Sequence, residues 1–281
     1  MKKFFKWLLI IFLILLSIII YARYVGTSGL ITKEYSITSS SIPTGFDGSK
    51  IVHFSDLHYN RILDINKVKK IVDEINLINP DIVVFTGDLI DQDVILTKDD
   101  YQELATTLSK INTKYGKYAI LGNHDYTNDK SEIISVYNNS DFIYLDNSYD
   151  IIYNKKGEKI FIGGINSVTR NEDDLEKTMS YFKDNDDISY KIIIVHEPDI
   201  ADEIVKNYNV NLILAGHSHN GQVRLPLIGP LYTPKYAKKY YDNYYKIGDT
   251  DLYISSGIGV SIANYRLWNR PSINFYRLNS N

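Results

Sequence analysis

The 281-residue chain contains no cysteine. That absence excludes disulfide bonds, thiolate metal sites and a cysteine nucleophile. The chain also lacks long runs of one charge sign, internal repeats and low-complexity tracts, and 44% of its residues are hydrophobic. Disorder is therefore not indicated. The length suits one large domain, or at most two small ones, after a short N-terminal segment.

Basic charge is scarce in most of the chain. The formal net charge is −3, from 31 basic and 34 acidic residues. Four basic residues, Lys2, Lys3, Lys6 and Arg23, lie in the first 23 residues, where there is no acidic residue, so the rest of the chain has 27 basic residues against 34 acidic ones, a balance of −7. Such a domain has no basic face for polyanions, and we expect no nucleic-acid partner. If the protein handles phosphate, positive charge must come from bound ions.

The N-terminal residues 4–22 are apolar except for Ser17 and one charged residue, Lys6. As a helix of nineteen residues they would span about 28 Å, which is close to the hydrocarbon thickness of a bilayer. Trp7 and Tyr21 lie near the two ends, where interfacial aromatic residues are common. The pattern predicts a tail at 1–6 and a transmembrane anchor at 7–22. The alternative is a cleaved signal peptide, with Gly26 and Ser28 as small residues near the cleavage site.

The charges around this segment predict its orientation. Lys2, Lys3 and Lys6 precede the centre of the apolar run, and only Arg23 follows it directly. The positive-inside rule therefore predicts a single-pass protein of the cell membrane, with its N-terminus in the cytoplasm and its domain on the opposite side of the membrane.

Residues 23–49 are rich in Ser, Thr and Gly and are predicted to be a linker, within which Tyr35 and Ile37 are compatible with one edge strand. The domain is predicted to occupy residues 50–281. Apolar residues at helical spacing predict a helix over 65–79 that ends at Pro80. Further helices are predicted around 101–111, 172–183 and 199–207. Strands are predicted at 51–55, 81–88, 117–125, 159–164, 190–196, 211–216 and 251–256. This alternation indicates an α/β fold, whose sites commonly lie at the carboxyl ends of strands.

Metal-binding residue types follow these apolar runs. Five of the six histidines lie there, and the sixth, His53, lies inside a strand and is predicted to be a core residue. Asp-x-His and His-x-His have period two, so both side chains can leave a strand end on one face. The clusters are Asp56-Leu57-His58, Gly87-Asp88, Gly122-Asn123-His124-Asp125, His196 and Gly216-His217-Ser218-His219.

Single Asp-x-His or Gly-Asp pairs are commonplace in structural turns, but five such clusters in order favour a functional site. Carboxylates, imidazoles and an amide oxygen suit Mn, Fe or Zn. Seven candidate ligands are too many for one ion unless it is six-coordinate and crowded, and they suit two ions that share a carboxylate. Two divalent ions carry more positive charge than the carboxylates of Asp56 and Asp88 neutralise. The site would therefore be net positive and could bind phosphoryl oxygens.

The ordered motifs D-x-H, G-D, G-N-H-D, H and G-H-x-H resemble those of the calcineurin-like metallophosphoesterases. The flanks SDLH, TGDL and LGNHD are also similar. The later segments GHSHNGQVRLP, YTPKYAKKY and SSGIG…NRPSI resemble a bacterial, membrane-anchored phosphodiesterase branch of that family. The resemblance implies two packed, mixed β-sheets flanked by helices. It also implies hydrolysis of a phosphoester by a hydroxide that bridges two divalent metals, among which Mn is favoured over Fe and Zn.

The resemblance also implies a role for each motif residue. His124 would face the substrate, where it would stabilise the transition state or protonate the leaving oxygen, and Asp125 would orient it. Asp88 would bridge the two ions. The first ion would be held by Asp56, His58 and His219, and the second by Asn123, His196 and His217.

The substrate class is predicted less sharply than the chemistry. A phosphomonoester, phosphodiester or pyrophosphate would suit the site, and the anchor favours a lipid-linked or envelope substrate. The alternative is an inactive metal-binding scaffold that binds a protein partner at the membrane. The Tyr- and Lys-rich segment 232–246 is predicted to be an exposed hairpin or loop, with lipid headgroups as one possible contact. Arg224 and Arg266 are candidates for contacting a substrate phosphate.

Overall fold

Alternating apolar strands and amphipathic helices form most of the chain in this computed structural model, which describes residues 1–92 and 94–281. The strands, in chain order, are β1 Ile31–Ser39, β2 Lys50–Phe54, β3 Ile82–Phe85, β4 Gly116–Ala119, β5 Phe142–Tyr144, β6 Ser148–Tyr153, β7 Lys159–Gly164, β8 Lys191–Ile194, β9 Leu212–Ala215, β10 Arg224–Leu225, β11 Gly229–Pro230, β12 Tyr244–Ile247, β13 Thr250–Ile254 and β14 Ser272–Ser280. The α-helices are α1 Lys2–Ile20, α2 Ile65–Ile78, α3 Lys98–Leu108, α4 Lys130–Asn139, α5 Leu175–Thr178 and α6 Ala201–Asn207.

Two six-stranded mixed sheets form the centre of the domain. The first has the order β1-β14-β2-β3-β4-β5, and the second has the order β12-β13-β9-β8-β7-β6. The central pairs, β2 with β3 and β8 with β9, are parallel. Their carboxyl ends therefore lie at one edge of each sheet, as predicted for the site. The short strands β10 and β11 form a separate hairpin.

Both faces of the central strands are buried, which explains their continuous apolar sequences. In β3, Ile82 and Val84 face the second sheet, whereas Val83 and Phe85 pack under the helices of the first. In β8, Ile192 and Ile194 pack between the sheets. A third cluster joins the second sheet to α5 and α6. The predicted sandwich flanked by helices is confirmed.

Local signals set the bounds of the best-predicted helix. α2 begins after Asp64, whose side chain accepts a hydrogen bond from Lys67 N at 3.0 Å. It ends at Asn79, which adopts the left-handed conformation with φ 55° directly before Pro80. The prediction of a helix over 65–79 is therefore confirmed.

Other predicted elements differ from the structure. The helix predicted over 172–183 is replaced by the four-residue α5 and a 3-10 turn at Ser180–Lys183. The Thr178 hydroxyl bonds back to the Asp174 carbonyl at 2.9 Å, an interaction that competes with continuing a helix. The strand predicted over 117–125 ends at Ala119, and the remaining residues form a loop. α4, β5, β6 and β14 were not predicted.

The segment 232–246 combines a loop with the edge strand β12. β12 pairs antiparallel with β13, so a hairpin is present where one was predicted. Tyr240 is buried and its hydroxyl bonds to Asp202 at 2.7 Å. The segment is therefore less exposed than predicted, because Tyr240 and Tyr245 pack against the second sheet, whereas Tyr232 and Tyr244 are exposed.

The predicted edge strand around Tyr35 and Ile37 is β1. It pairs in parallel with β14 over nine residues, and Ile37 is 3% exposed in the core between the sheets. The boundary of the domain at residue 50 stays a prediction, but residues 31–39 belong to the first sheet.

α1 extends away from the domain, and none of its residues is buried. Together with the π-helical turn Tyr21–Val25 it forms one helix that is long and apolar enough to cross a membrane. Its end is fixed to the domain, since Arg266 N donates to Ala22 O at 2.9 Å. A Cβ at Gly26 would lie 1.9 Å from the Arg266 carbonyl oxygen, so only glycine permits this approach.

If β1 stabilises the domain, Ile37→Ala should lower the free energy of unfolding of the full-length protein in detergent by about 2–4 kcal/mol, because it removes a buried side chain. The matched control is Thr38→Ala, at the exposed neighbouring position. Denaturant unfolding followed by circular dichroism measures both variants. Equal stability of the two would mean that residues 31–39 act only as a tether.

Candidate metal centre

Three groups of side chains with metal-binding atoms meet where the central strands end. One consists of Asp56, His58 and His219, and a second consists of Asp88, His196 and His217. Within each group, one ligand atom from every residue lies within 4.8 Å of the others. The third group is His58, Asp91 and His124. The residues of the first two groups come from the ends of β2, β3, β8 and β9.

The Asp88 carboxylate lies between the first two groups. Its Oδ2 is 3.6 Å from His58 Nε2 and 3.3 Å from His196 Nε2. Asn123 joins the second group, since its Oδ1 is 3.2 Å from His196 Nε2. All seven residues predicted as ligands are thus brought together, and Asp88 lies between His58 and His196. Their coordination of metal stays a proposal.

Sharp turns direct these side chains into the site. Five of the seven predicted ligands have positive φ: Asp56, His58, Asp88, His217 and His219. Such conformations cost about 1–3 kcal/mol each and persist where the surrounding structure holds them, often at functional sites. Glycine is required where two of the loops meet. A Cβ at Gly122 would lie 2.2 Å from Asp88 Oδ1, and one at Gly87 would lie 2.3 Å from Gly122 N.

Backbone carbonyls orient two of the histidine rings, those of His196 and His217. His196 Nδ1 lies 2.7 Å from Thr86 O, and His217 Nε2 lies 2.8 Å from Lys235 O. Because a carbonyl oxygen only accepts, these nitrogens carry the protons, and the opposite nitrogens keep lone pairs for a metal. The donors are carboxylate oxygens, imidazole nitrogens and an amide oxygen, a set that fits divalent ions.

The electrostatics favour an ionised carboxylate at the centre. Burial alone raises the pKa of Asp88, but His196 and His124 lower it more, so it lies well below its usual value. Burial lowers the pKa of His219, and the charges of His58 and Arg266 lower it further. His219 therefore remains neutral, the form in which imidazole binds metals.

His124 and Asp91 form the third group together with His58. His124 Nδ1 lies 3.2 Å from Asp91 Oδ1, and its Nε2 lies 4.0 Å from Asp88 Oδ2. Asp91 Oδ1 is also 3.2 Å from His58 Nδ1, and Arg61 pairs with Oδ2. Asp91 thus connects the proposed catalytic histidine to a proposed ligand. The sequence analysis missed it, although its place three residues after Asp88 in GDLID was a usable signal.

Asp125 does not orient His124, so that prediction is wrong. Its carboxylate accepts backbone hydrogen bonds from Gly122 N at 2.8 Å and from Asp88 N and Leu89 N at 2.9 Å. Within the described residues it makes no hydrogen bond to the His124 ring. The side chain points beneath the loop because Asp125 begins a tight 3-10 turn. It joins the loops that carry Asp88 and Asn123.

The two arginines predicted to contact substrate lie elsewhere. Arg266 is fully buried behind His219, where Nη2 lies 3.2 Å from His219 Nδ1 and donates to Gly259 O at 2.6 Å. Arg224 pairs with Asp242 at 2.7 Å and does not line the cleft in front of the metal-binding groups. The prediction is therefore wrong for both residues.

That cleft has a volume of about 680 Å³. His124, His217 and His219 line its inner end, and no lysine or arginine other than Lys235 lines it within the described residues. The opposite wall is largely apolar. It is formed in part by Val223, Leu231, Tyr232, Pro234 and Ile262. The cleft therefore offers polar groups at one end and an apolar surface for the rest of a ligand.

Comparison with known proteins identifies the family. Residues 49–221 match calcineurin-like phosphoesterases. The chain belongs to the calcineurin-like phosphoesterase family. It is 37% identical over 261 residues to the uncharacterized metallophosphoesterase YkuE of Bacillus subtilis, which covers 92% of this chain and 89% of that protein. It is also 28% identical over 282 residues to YkoQ of the same organism, with 95% and 98% covered.

A structural neighbour supports the fold assignment alone. The NAD nucleotidase of Haemophilus influenzae superposes with a TM-score of 0.51 at 17% identity, over 75% of this chain and 45% of that one. The family resemblance and the predicted fold class are confirmed. For this calcineurin-like phosphoesterase, membership and the clustered donors support metal-dependent phosphoester hydrolysis.

Asp91 contacts histidine rings and Asp125 contacts backbone N–H groups, so substitutions of the two residues should have different effects. Asp125→Asn should lower the free energy of unfolding by about 2–3 kcal/mol, because an amide NH₂ would replace an acceptor facing backbone N–H groups. Asp91→Asn should instead lower kcat about 10- to 100-fold, the usual effect of changing the partner of a metal-bound or catalytic histidine. Denaturant unfolding and turnover of an aryl phosphodiester, measured on the same preparations, separate the two roles. An Asp125→Asn protein of normal stability and low kcat would restore Asp125 as the orienting residue.

Proposed function

We propose that this protein is a dinuclear metal-dependent phosphoesterase, with a phosphodiester, pyrophosphate or phosphomonoester as substrate. The observation that carries the proposal is the position of Asp88 Oδ2 between His58 and His196, with a complete ligand group on each side. A single carboxylate so placed suits two ions. An inactive scaffold is the weaker alternative, because the proposed ligands and His124 are all present.

Each side chain has a role in this proposal. Asp56, His58 and His219 would hold the first ion and Asn123, His196 and His217 the second, with Asp88 shared. When bound, two such ions supply an activated water nucleophile and positive charge opposite the phosphoryl oxygens. We favour Mn²⁺ among Mn, Fe and Zn for this donor set.

His124 would act on the substrate. Its side chain is 12% exposed and lines the cleft, so it can reach a bound phosphoryl group. Asp91 would hold the ring through Nδ1, which directs Nε2 towards the site. From there His124 would neutralise developing charge or give a proton to the leaving oxygen.

The loop 261–266 connects the membrane helix to this cleft. Arg266 N bonds to Ala22 O at the end of the helix, and the preceding residues Ser261, Ile262 and Ala263 line the cleft. This connection and the apolar cleft wall favour a lipid-linked or envelope substrate. We further propose that α1 is a retained single-pass anchor in the cell membrane and that the domain lies outside the cytoplasm.

The full-length protein loaded with Mn²⁺ should contain about two ions per chain and hydrolyse an aryl phosphodiester or phosphomonoester. If the substrate is lipid-linked, phospholipid-like esters should have a higher kcat/KM than these water-soluble aryl esters. Asp88→Asn should lower both metal content and kcat, because the shared ligand loses its charge. Asp251→Asn is the control, since Asp251 lies in β13 away from the cleft. One ion per chain with full activity would contradict the dinuclear site.

His124→Ala should keep both ions and the fold but lose about 10²- to 10⁴-fold in kcat, the usual contribution of general acid catalysis. The loss should be smaller for nitrophenyl esters, whose leaving group needs no proton. Metal content and kcat should be measured together across leaving groups of different pKa. Unchanged kcat on a poor leaving group would exclude His124 as the acid, whereas loss of an ion would make it a ligand.

The proposed orientation predicts that protease added to intact spheroplasts degrades the domain. The positive charges in the first turns of α1 and the apolar length of the helix are its physical basis. A cytoplasmic protein serves as the control for lysis. Digestion only after lysis would reverse the orientation, and a mature N-terminus near Gly26 would show a cleaved signal peptide.

A further inference from the structure

Two hollows meet where the membrane helix joins the domain, outside the cleft described above. The first is apolar, has a volume of about 660 Å³, and lies between one face of α1, from Ile10 to Tyr21, and Leu267 and Trp268. The second is polar and has a volume of about 480 Å³. Tyr21 and Trp268 line both hollows, so the two are adjacent at these rings.

The polar hollow carries an excess of positive charge. Lys33, Arg224 and Arg270 line it, and Asp242 is its one carboxylate among the described residues. Asp242 is already paired with Arg224 at 2.7 Å. The formal charge of the lining is therefore +2, which is unusual in a domain that is acidic overall.

Two of these cations lack an anionic partner. Lys33 Nζ is held by neutral groups, Asn243 Oδ1 at 3.0 Å and Ser256 Oγ at 2.7 Å. Burial, and then the charge of Arg266, lower the pKa of Lys33 to about 8, as expected for a lysine without a carboxylate. The Arg270 guanidinium lies against the backbone at Gly29, and within the described part of the chain it forms no hydrogen bond or ion pair.

Two exposed lysines elsewhere in the domain, by contrast, have carboxylate partners. In the segment 232–246, Lys239 pairs with Asp202 at 2.7 Å and Lys246 pairs with Asp251 at 3.1 Å. Their charges are compensated locally. Close to the end of α1, Lys33 and Arg270 of the polar hollow lack an anionic partner within the described residues, as does Arg23 in the turn that follows α1.

We propose that the two hollows together bind one anionic phospholipid, with its phosphate in the polar hollow and an acyl chain along α1. Tyr21 and Trp268 would lie at the level of the interface, where aromatic rings of this kind are enriched. Basic side chains at that level attract anionic headgroups. A free phosphate ion would use the cations alone and leave the adjoining apolar hollow unexplained.

The site is separate from the metal centre. None of the seven proposed ligands lines the polar hollow. Two other residues that line it, Asn220 and Asn269, lie beside the metal centre, and Asn269 donates a hydrogen bond to the His219 carbonyl. The inference rests on the anchoring of α1 in the proposed function, but it is independent of catalysis. The lipid would hold the junction between the membrane helix and the loop beside His219.

Tryptophan fluorescence can test this site in the full-length protein. The chain has two tryptophans, so Trp7→Phe leaves Trp268 as the single reporter. This protein in dodecyl maltoside micelles should be titrated with phosphatidylglycerol or phosphatidylcholine brominated on the acyl chains. Trp268 should be quenched in a saturable manner, at a lower mole fraction of phosphatidylglycerol than of phosphatidylcholine.

Variants identify the cations responsible. Arg270→Gln should raise the half-saturating mole fraction of phosphatidylglycerol about fivefold, the effect of removing one cation near an anionic lipid. Lys33→Gln should act in the same direction. Arg277→Gln is the matched control, because Arg277 is paired with Glu34 on the first sheet at 3.1 Å and does not line either hollow. It should leave the titration unchanged.

Equal quenching by the two lipids in the Trp7→Phe protein would overturn the proposal. The proposal would also be overturned if Arg270→Gln and Lys33→Gln fold normally and, like Arg277→Gln, leave the half-saturating mole fraction of phosphatidylglycerol unchanged. A change in Trp268 fluorescence with millimolar inorganic phosphate, without selective quenching by brominated phosphatidylglycerol, would identify a free-anion site and overturn the lipid assignment. Turnover of an aryl phosphodiester with Mn²⁺, measured on the same samples, reports the proposed function separately. Loss of lipid selectivity with normal turnover therefore contradicts only this inference.

Discussion

The carboxylate of Asp88 is the group around which the candidate centre is arranged. One of its oxygens lies between His58 and His196, and the other accepts the His124 backbone N–H at 2.8 Å. A buried carboxylate is costly unless cations or donors surround it. The strands of both sheets supply those groups from their ends, so the packing of the two sheets determines the geometry of the centre.

Several buried charged groups support this arrangement without facing the cleft. Asp125 joins the backbone of the Asp88 loop to that of the Gly122 loop. Arg266 fills the space behind His219 and binds carbonyls of its own loop. Each satisfies several backbone groups, which repays part of the cost of burying its charge. The strained turns at the strand ends are stable because such contacts hold them.

The connection between membrane helix and site passes through the same loop. Arg266 bonds to Ala22 through its backbone and contacts His219 through its side chain. Residues on one side of it line the cleft, and those on the other line the polar hollow. The position of the helix and that of the candidate centre are therefore linked by a few residues.

The sequence alone was sufficient for the order of the strands and helices that carry the motifs, for α2 and for the six side chains that meet around Asp88. These features depend on local periodicity and on the rule that parallel strands end at a common edge. β14, its pairing with β1, and the burial of Arg266 were not predictable, because they depend on residues that are distant along the chain. The place of Asp91 and Asp125 shortly after motif ligands could have indicated that both lie near the site, but nothing local indicates which of them contacts the His124 ring. The turns at Asp88 and His124 place the Asp91 carboxylate against the His124 imidazole and the Asp125 carboxylate against backbone N–H groups. Those turns are fixed only when the two sheets pack together.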